Sequence, residues 1–72
     1  MIFTLNEDQY NKSLEFLDWL YDIKLVMMSE FNRIKEILQI LAYGEINEAN
    51  IWYGDSNDYI KHQVNKILGM VK

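Results

Sequence analysis

The chain has 72 residues, no cysteine, one histidine and a formal net charge of −4. This length limits it to one domain, and the composition excludes disulfides, thiolate metal sites and histidine-rich metal sites. The negative charge argues against direct nucleic-acid binding, because phosphate contacts need a basic surface.

Half of the residues are hydrophobic, and 14% are aromatic. A chain of this size buries only about 60% of the surface that its unfolded form exposes. One small core therefore does not hide this much apolar material, and chains of this kind usually add a disulfide, a metal or a second subunit. We expect a homodimer, a larger protein partner, or both.

Residues 1–8 lack the basic start and the apolar stretch of a secretory signal. The longest apolar-rich run, residues 19–28, contains Asp22 and Lys24 and is too short to span a bilayer. We therefore expect a cytoplasmic protein that has no membrane partner.

The first helix has a clear start signal. Asn6 suits the N-cap and Gln9 the N3 position, which approximates a capping box, while Leu5 and Tyr10 suit a hydrophobic staple. An apolar stripe at steps of three and four then continues to the helix stop predicted at Gly44, where we expect a left-handed C′ residue. The stripe consists of Phe16, Leu20, Ile23, Met27, Phe31, Ile34, Leu38 and Leu41, with a flanking stripe at Tyr10, Leu14, Leu17 and Tyr21.

Residues 7–43 contain no strong helix breaker, so they form either one helix of about 54 Å or two antiparallel helices. Compact domains rarely contain so long a helix, which favours a break at 22–29 with Ser29 as the second N-cap. A short helix at 46–53, ended by Gly54, and a last helix capped by Asp55 or Ser56 complete the chain. The apolar face of the last helix is predicted to be Ile60, Val64, Ile67, Leu68 and Val71. Residues 1–72 are thus predicted to be one all-α domain, a bundle of three or four helices completed by homodimerisation.

The sequence offers little for catalysis. His62 has Asp58 four residues before it and Lys66 four after, a spacing that supports a helix through side-chain pairs. No glycine-rich phosphate loop is present, and a solvated helix face explains the carboxylates Glu15, Asp18 and Asp22. We expect no enzyme, no metal and no cofactor.

Two segments are candidates for binding. In the first, Trp52 lies beside Tyr53, and Tyr53 is predicted to face inward, which leaves Trp52 as the contact. Glu48 and Asp55 are predicted to flank Trp52, and Glu45 and Asp58 complete the predicted partner-binding site. In the second segment, residues 19–28 are apolar nearly all round, and a monomer of this size cannot surround such a helix. The predicted self-association residues are Trp19, Ile23, Val26, Met27 and Met28.

These observations predict a small acidic regulatory or adaptor protein that acts by non-covalent protein–protein binding. The Ile-, Asn- and Lys-rich composition suggests an AT-rich genome, so an inhibitor of a larger host protein, of the phage or mobile-element type, fits this prediction. Two alternatives remain open. The acids could imitate a phosphate row and block a nucleic-acid-binding enzyme, or the chain could be a structural assembly subunit.

Overall fold

The computed structural model of the chain describes residues 4–44, 47–48, 54 and 56–71. This part contains three long helices, α1 (Glu7–Asp22), α2 (Met28–Tyr43) and α3 (Asp58–Val71), and each of them packs against the other two. None of the described residues lies in a β-strand. The prediction of an all-α helical bundle is confirmed, whereas its dimerisation stays a prediction.

The start of α1 follows the predicted capping box. The Asn6 side-chain oxygen accepts the Gln9 backbone N–H at 2.8 Å, and the Gln9 side-chain oxygen accepts the Asn6 backbone N–H at 3.0 Å. Both predicted staple residues, Leu5 and Tyr10, are buried. The Leu5 N–H also donates to the Leu41 carbonyl at 3.0 Å, which fixes the start of the chain beside the end of α2.

The predicted break within 7–43 is confirmed. After α1 the Leu25 N–H donates to the Leu20 carbonyl at 2.9 Å, and the Lys24 N–H donates to the Tyr21 carbonyl at 3.0 Å. This pair of bonds is a Schellman motif, which ends a helix by reversing the chain through one left-handed residue. That residue is Lys24, with φ 64°, although glycine is the usual choice because a Cβ disfavours this conformation.

The predicted N-cap of the second helix, Ser29, is wrong. The helix begins at Met28, so Ser29 lies inside its first turn. Met27 occupies the N-cap, and its backbone N–H donates to Glu30 Oε1 at 2.8 Å. Val26 is buried in the core, so the chain is already anchored two residues before α2 begins at Met28.

Gly44 ends α2 as predicted, but the reason differs from the prediction. Its φ of −98° and ψ of −171° are extended rather than left-handed. A Cβ at Gly44 would lie 2.9 Å from Ile40 Cγ2 and 3.0 Å from the Ile40 carbonyl oxygen. Glycine is therefore needed for a close approach to the preceding turn of the helix.

The cap predicted for the last helix is also wrong, by one or two positions. Asn57 caps α3, because its side-chain oxygen accepts the Ile60 N–H at 2.8 Å. Ser56 is buried, and Asp55 lies outside the described residues. Of the short helix predicted at 46–53, residues 47 and 48 are helical and the rest lie outside the described residues; Gly54, predicted to end it, is itself helical.

The core lies between the three helices. The predicted apolar face of α3 is buried throughout, so that prediction is confirmed. Gln63, which the sequence analysis did not place in the core, is 4% exposed, and its Oε1 accepts no hydrogen bond within the described part of the chain. The buried apolar residues in the described part of the chain are Leu5, Tyr10, Leu17, Leu20, Val26, Ile34, Ile37, Leu38, Leu41, Ile60, Val64, Ile67, Leu68 and Val71.

One hydrogen bond fixes the direction of α3. The Tyr59 hydroxyl donates to the Leu25 carbonyl, so α3 begins beside the turn between α1 and α2. From there α3 extends away from the turn and packs on both other helices. We call the two ends of the bundle the turn end, which holds residues 23–27, and the opposite end, which holds Leu5 and Leu41.

Candidate protein-interaction surface

Large apolar side chains are exposed all around the turn end. Residues 19–28 contribute six of them, with between 38% and 72% of each side chain accessible. We call this set the turn patch; it consists of Trp19, Tyr21, Ile23, Leu25, Met27 and Met28. Four of the five predicted self-association residues therefore belong to an exposed apolar surface of the single chain.

Val26 departs from the prediction. It is 2% exposed and belongs to the core, so it does not contribute to the surface of the single chain. The sequence pattern treats 19–28 as continuous helix, whereas the Schellman turn at Lys24 redirects the chain and points Val26 inward. Tyr21 and Leu25 take its place at the surface, and the predicted site did not include them.

The predicted acidic aromatic site is described only in part. Glu48 is exposed on a helical segment, and Asp58 is exposed in the first turn of α3. Glu45, Trp52 and Asp55 lie outside the described residues. The turn end is therefore the candidate site whose geometry is known.

A groove runs between the end of α1 and the start of α2. Its volume is about 360 Å³, and we call it the turn groove. The Tyr21 and Phe31 rings meet edge to face across the two helices, with centroids 5.4 Å apart and an angle of 64°. The lining residues are Asp18, Tyr21, Asp22, Met28 and Phe31.

A second hollow of about 500 Å³ adjoins the turn groove. The two concavities share Tyr21, Asp22 and Met28. The second is lined in addition by Lys24, Val26 and Met27, so its wall is mainly apolar. Methionine side chains are flexible and polarizable, which suits a surface that must adapt to another molecule.

The electrostatics of the turn groove are set by α1. Asp18 and Asp22 are four residues apart, so their carboxylates lie on the same side of the helix. The last turn of α1 contains no basic residue. Because the C-terminal end of a helix carries partial negative charge, acids there are unfavourable unless a cation approaches.

The opposite end has a different character. Tyr10 and Tyr43 meet edge to face, with centroids 5.2 Å apart and an angle of 79°. Burial raises the pKa of the Tyr10 phenol above its ordinary value of 10.0, and the neighbouring Tyr43 raises it further. The concavity at this end is lined by Glu36, Gln39, Ile40, Tyr43 and Gly44, which include one acid.

Other kinds of site are not visible in the described residues. No three His, Asp or Glu side chains among them lie close enough together to hold a metal ion. His62 and Asp58 are both exposed on α3. None of the described helices combines the length and hydropathy needed to cross a bilayer.

Comparison with protein families, curated proteins and solved structures finds no match to this chain. The geometry of the turn end is therefore the basis for a functional proposal. Sequence reasoning overlooked the turn groove as a site. The spacing of Asp18 and Asp22 was visible, but the approach of Phe31 to Tyr21 depends on how the two helices fold back on each other.

Proposed function

We propose that this chain is a small acidic regulatory or adaptor protein that works by non-covalent binding to other proteins, including a second copy of itself. The turn patch is the observation that carries the proposal. Six large apolar side chains lie exposed within ten consecutive residues. Large exposed apolar side chains concentrated at one end of a small protein commonly mark sites of protein interaction.

The turn patch contributes little to the core of the single chain. Within the described residues, that core is formed by fourteen apolar residues, and no member of the turn patch is among them. Exposure of apolar surface to water costs about 25 cal/mol per Å². A partner that covers the turn patch therefore gains binding energy without disturbing the fold, and the binding needs no covalent chemistry.

The turn patch has two sides. Trp19 and Ile23 are four residues apart and lie on one side of α1, whereas Tyr21 is about 200° from Trp19 around the helix axis. Tyr21 faces α2 through its ring contact with Phe31. We propose that the Trp19 side pairs with the same side of a second copy, in the self-complementary manner of a two-fold dimer, and that the Tyr21 side is available to a different protein.

The test is affinity capture with matched variants. The immobilised chain is compared with a Met27→Glu/Met28→Glu double variant in extract of the source organism, with bound proteins quantified by mass spectrometry. Met27 and Met28 are exposed, so the fold is expected to survive, which circular dichroism checks. Glutamate places charge in the interface, and a true partner is lost.

Met70→Glu is the control. Met70 is 45% exposed, but it lies near the far end of α3, about 17 Å along the helix from Tyr59. A partner retained by the wild type and by Met70→Glu, and lost by the double variant, supports the proposal. Equal retention by all three proteins contradicts it. Trp52→Ala in the same experiment shows whether the acidic aromatic segment contributes a second contact.

A further inference from the structure

We infer that the turn groove receives a lysine or arginine side chain carried on an amphipathic helix of the partner protein. This inference rests on the proposed function and specifies the chemistry of the partner. It follows from the charge of the groove, the nature of its aromatic and methionine lining, and the hollow beside it.

The charge of the turn groove selects a cation. Asp18 and Asp22 both line it, and neither carboxylate forms an ion pair with another residue in the described part of the chain. The negative end of α1 lies beside them; its last turn contains no basic residue, and Lys24, which follows the helix, lines the adjoining hollow rather than the turn groove. A cationic group entering the groove is therefore attracted by two carboxylates and by the helix end together.

The lining of the groove selects a cation on an apolar stem. Tyr21 and Phe31 contribute aromatic rings, and Met28 contributes a flexible thioether. Aromatic rings attract cations that lie over their faces, and the guanidinium group of arginine both stacks on rings and pairs with carboxylates in bidentate fashion. The hydrocarbon stem of lysine or arginine would lie against Met28 while its charged head reaches Asp18 and Asp22.

The adjoining hollow selects the kind of segment that carries the cation. The wall of this hollow combines the apolar side chains of Val26, Met27 and Met28 with Tyr21, Asp22 and Lys24, and its mainly apolar surface suits a side chain such as leucine. An apolar residue and a basic residue must then lie next to each other on one face of the partner. Residues three or four apart on a helix meet this requirement, since their Cβ atoms are about 5–6 Å apart.

A second copy of this chain is a poor occupant. The basic residues described in α3 are Lys61 and Lys66, but the apolar face of that helix is buried in its own bundle. A two-fold dimer centred on the groove would also bring Asp18 and Asp22 toward the same acids of the other copy, which is repulsive. The groove is therefore assigned to a different protein.

The test uses two synthetic probes. One is a fluorescent helical peptide of sixteen residues with a leucine four residues before a single arginine, and the other has glutamine in place of that arginine. Affinities are measured by fluorescence anisotropy at low and at high salt. We expect the arginine peptide to bind roughly tenfold more tightly, and to lose that advantage at high salt, because its gain comes from charge-assisted contacts.

Matched variants locate the contact. Asp22→Asn and Asp18→Asn remove one charge each without changing side-chain shape, and each is expected to weaken the arginine peptide roughly threefold to tenfold while leaving the glutamine peptide unaffected. Glu36→Gln removes the same charge from an exposed position on α2 outside the turn groove, and it should match the wild type. Circular dichroism confirms that each variant remains folded.

Several results would overturn the inference: equal affinity for both peptides, binding of neither, or an Asp22→Asn protein that behaves like the wild type. Equal weakening by Glu36→Gln would reveal a general charge effect and would also overturn it. Dissociation of the dimer by Asp22→Asn, seen in sedimentation without peptide, would assign the groove to a second copy instead. A partner lost by the Met27→Glu/Met28→Glu variant but retained by Asp22→Asn would support the adaptor role and refute the cation site.

Discussion

The two ends of α1 are built in opposite ways. At the first, Asn6 and Gln9 exchange hydrogen bonds, and Leu5 and Tyr10 are buried. At the second, Lys24 holds a left-handed conformation, and an acid, Asp22, lies at the negative end of the helix dipole. Apolar side chains are exposed only a few residues away, in the turn patch.

This contrast indicates which end serves folding. At the start of α1 the capping residues and the apolar residues all favour the observed helix start, as expected where the sequence is selected for stability alone. At the end of α1 three preferences are violated within a few residues, and such clusters of violations are typical of functional sites. This pattern supports our proposal that the turn end is a binding surface obtained at some cost in stability.

The largest expected effect distinguishes the buried residue of the turn, Val26, from its exposed neighbour, Met27. Val26→Ala should lower the free energy of unfolding by roughly 2 kcal/mol, because it removes buried methyl groups and leaves a cavity. Met27→Ala, one residue further on, should change it by less than about 0.5 kcal/mol, because Met27 is 72% exposed. Urea denaturation followed by circular dichroism measures both.

Comparable losses in the two variants would show that Met27 packs inside the fold, and the turn patch would no longer stand as free surface. A negligible loss for Val26→Ala would show that the connection is not anchored in the core.

The next effect concerns the well-capped end. Asn6→Ala should destabilise the protein by about 1 kcal/mol, because the Gln9 N–H loses its acceptor. Asn6→Asp keeps an acceptor and adds favourable charge at the helix start, so its stability should stay within a few tenths of a kcal/mol of the wild type. The urea concentrations at the midpoints of unfolding of the two variants are compared. An alanine variant as stable as the aspartate variant would contradict a stabilising role of the capping box.

At the other end, Lys24→Gly should stabilise the protein by about 0.5–1 kcal/mol. Glycine relieves the left-handed strain, and the gain is partly offset by the greater freedom of the unfolded chain. Lys12→Gly is the control, since Lys12 is exposed inside α1 and the same replacement should destabilise there by about 1 kcal/mol. Loss of stability in both variants would mean that Lys24 makes a contact that outweighs its strain.

The sequence predicted those features that depend on near neighbours. The capping box of α1 and the apolar face of α3 follow from short-range spacing, and both are confirmed. The break in 7–43 was predicted from the rarity of so long a helix in a compact domain, and it is confirmed too. The prediction of Ser29 as a cap was wrong because the preceding turn, rather than the local sequence, determines the residue at which α2 begins. Gly44 was predicted to adopt a left-handed conformation. In the structure glycine is needed there because the backbone passes close to Ile40, and no sequence pattern reveals such a contact. The turn groove could not be predicted either, because it is formed by the packing of two helices and not by residues close in sequence.

A smaller, pH-dependent effect is expected at the opposite end. The pKa of Tyr10 is raised in the folded chain, by burial first and by Tyr43 second. The folded state therefore holds this proton at a pH where the unfolded chain releases it, so the stability that Tyr10 contributes is complete below pH 10 and declines as pH rises through the folded pKa. Tyr10→Phe should lose less stability than the wild type between pH 9 and pH 11 in urea denaturation; an unchanged slope would show that Tyr10 is not responsible.

The smallest expected effect tests directly whether the Asp22 carboxylate at the turn end lowers the stability of the fold. Asp22→Asn should raise the free energy of unfolding by about 0.3–0.5 kcal/mol, because it removes a negative charge from the negative end of α1 and from the neighbourhood of Asp18. Glu36→Gln, with the same change in net charge, lies in the interior of α2 and should be neutral. Differential scanning calorimetry at low salt measures the difference, which should shrink at high salt because the interaction is screened. If Asp22→Asn is less stable than the wild type, the carboxylate has a structural role, and its position at the end of α1 no longer supports a binding site for a cationic side chain.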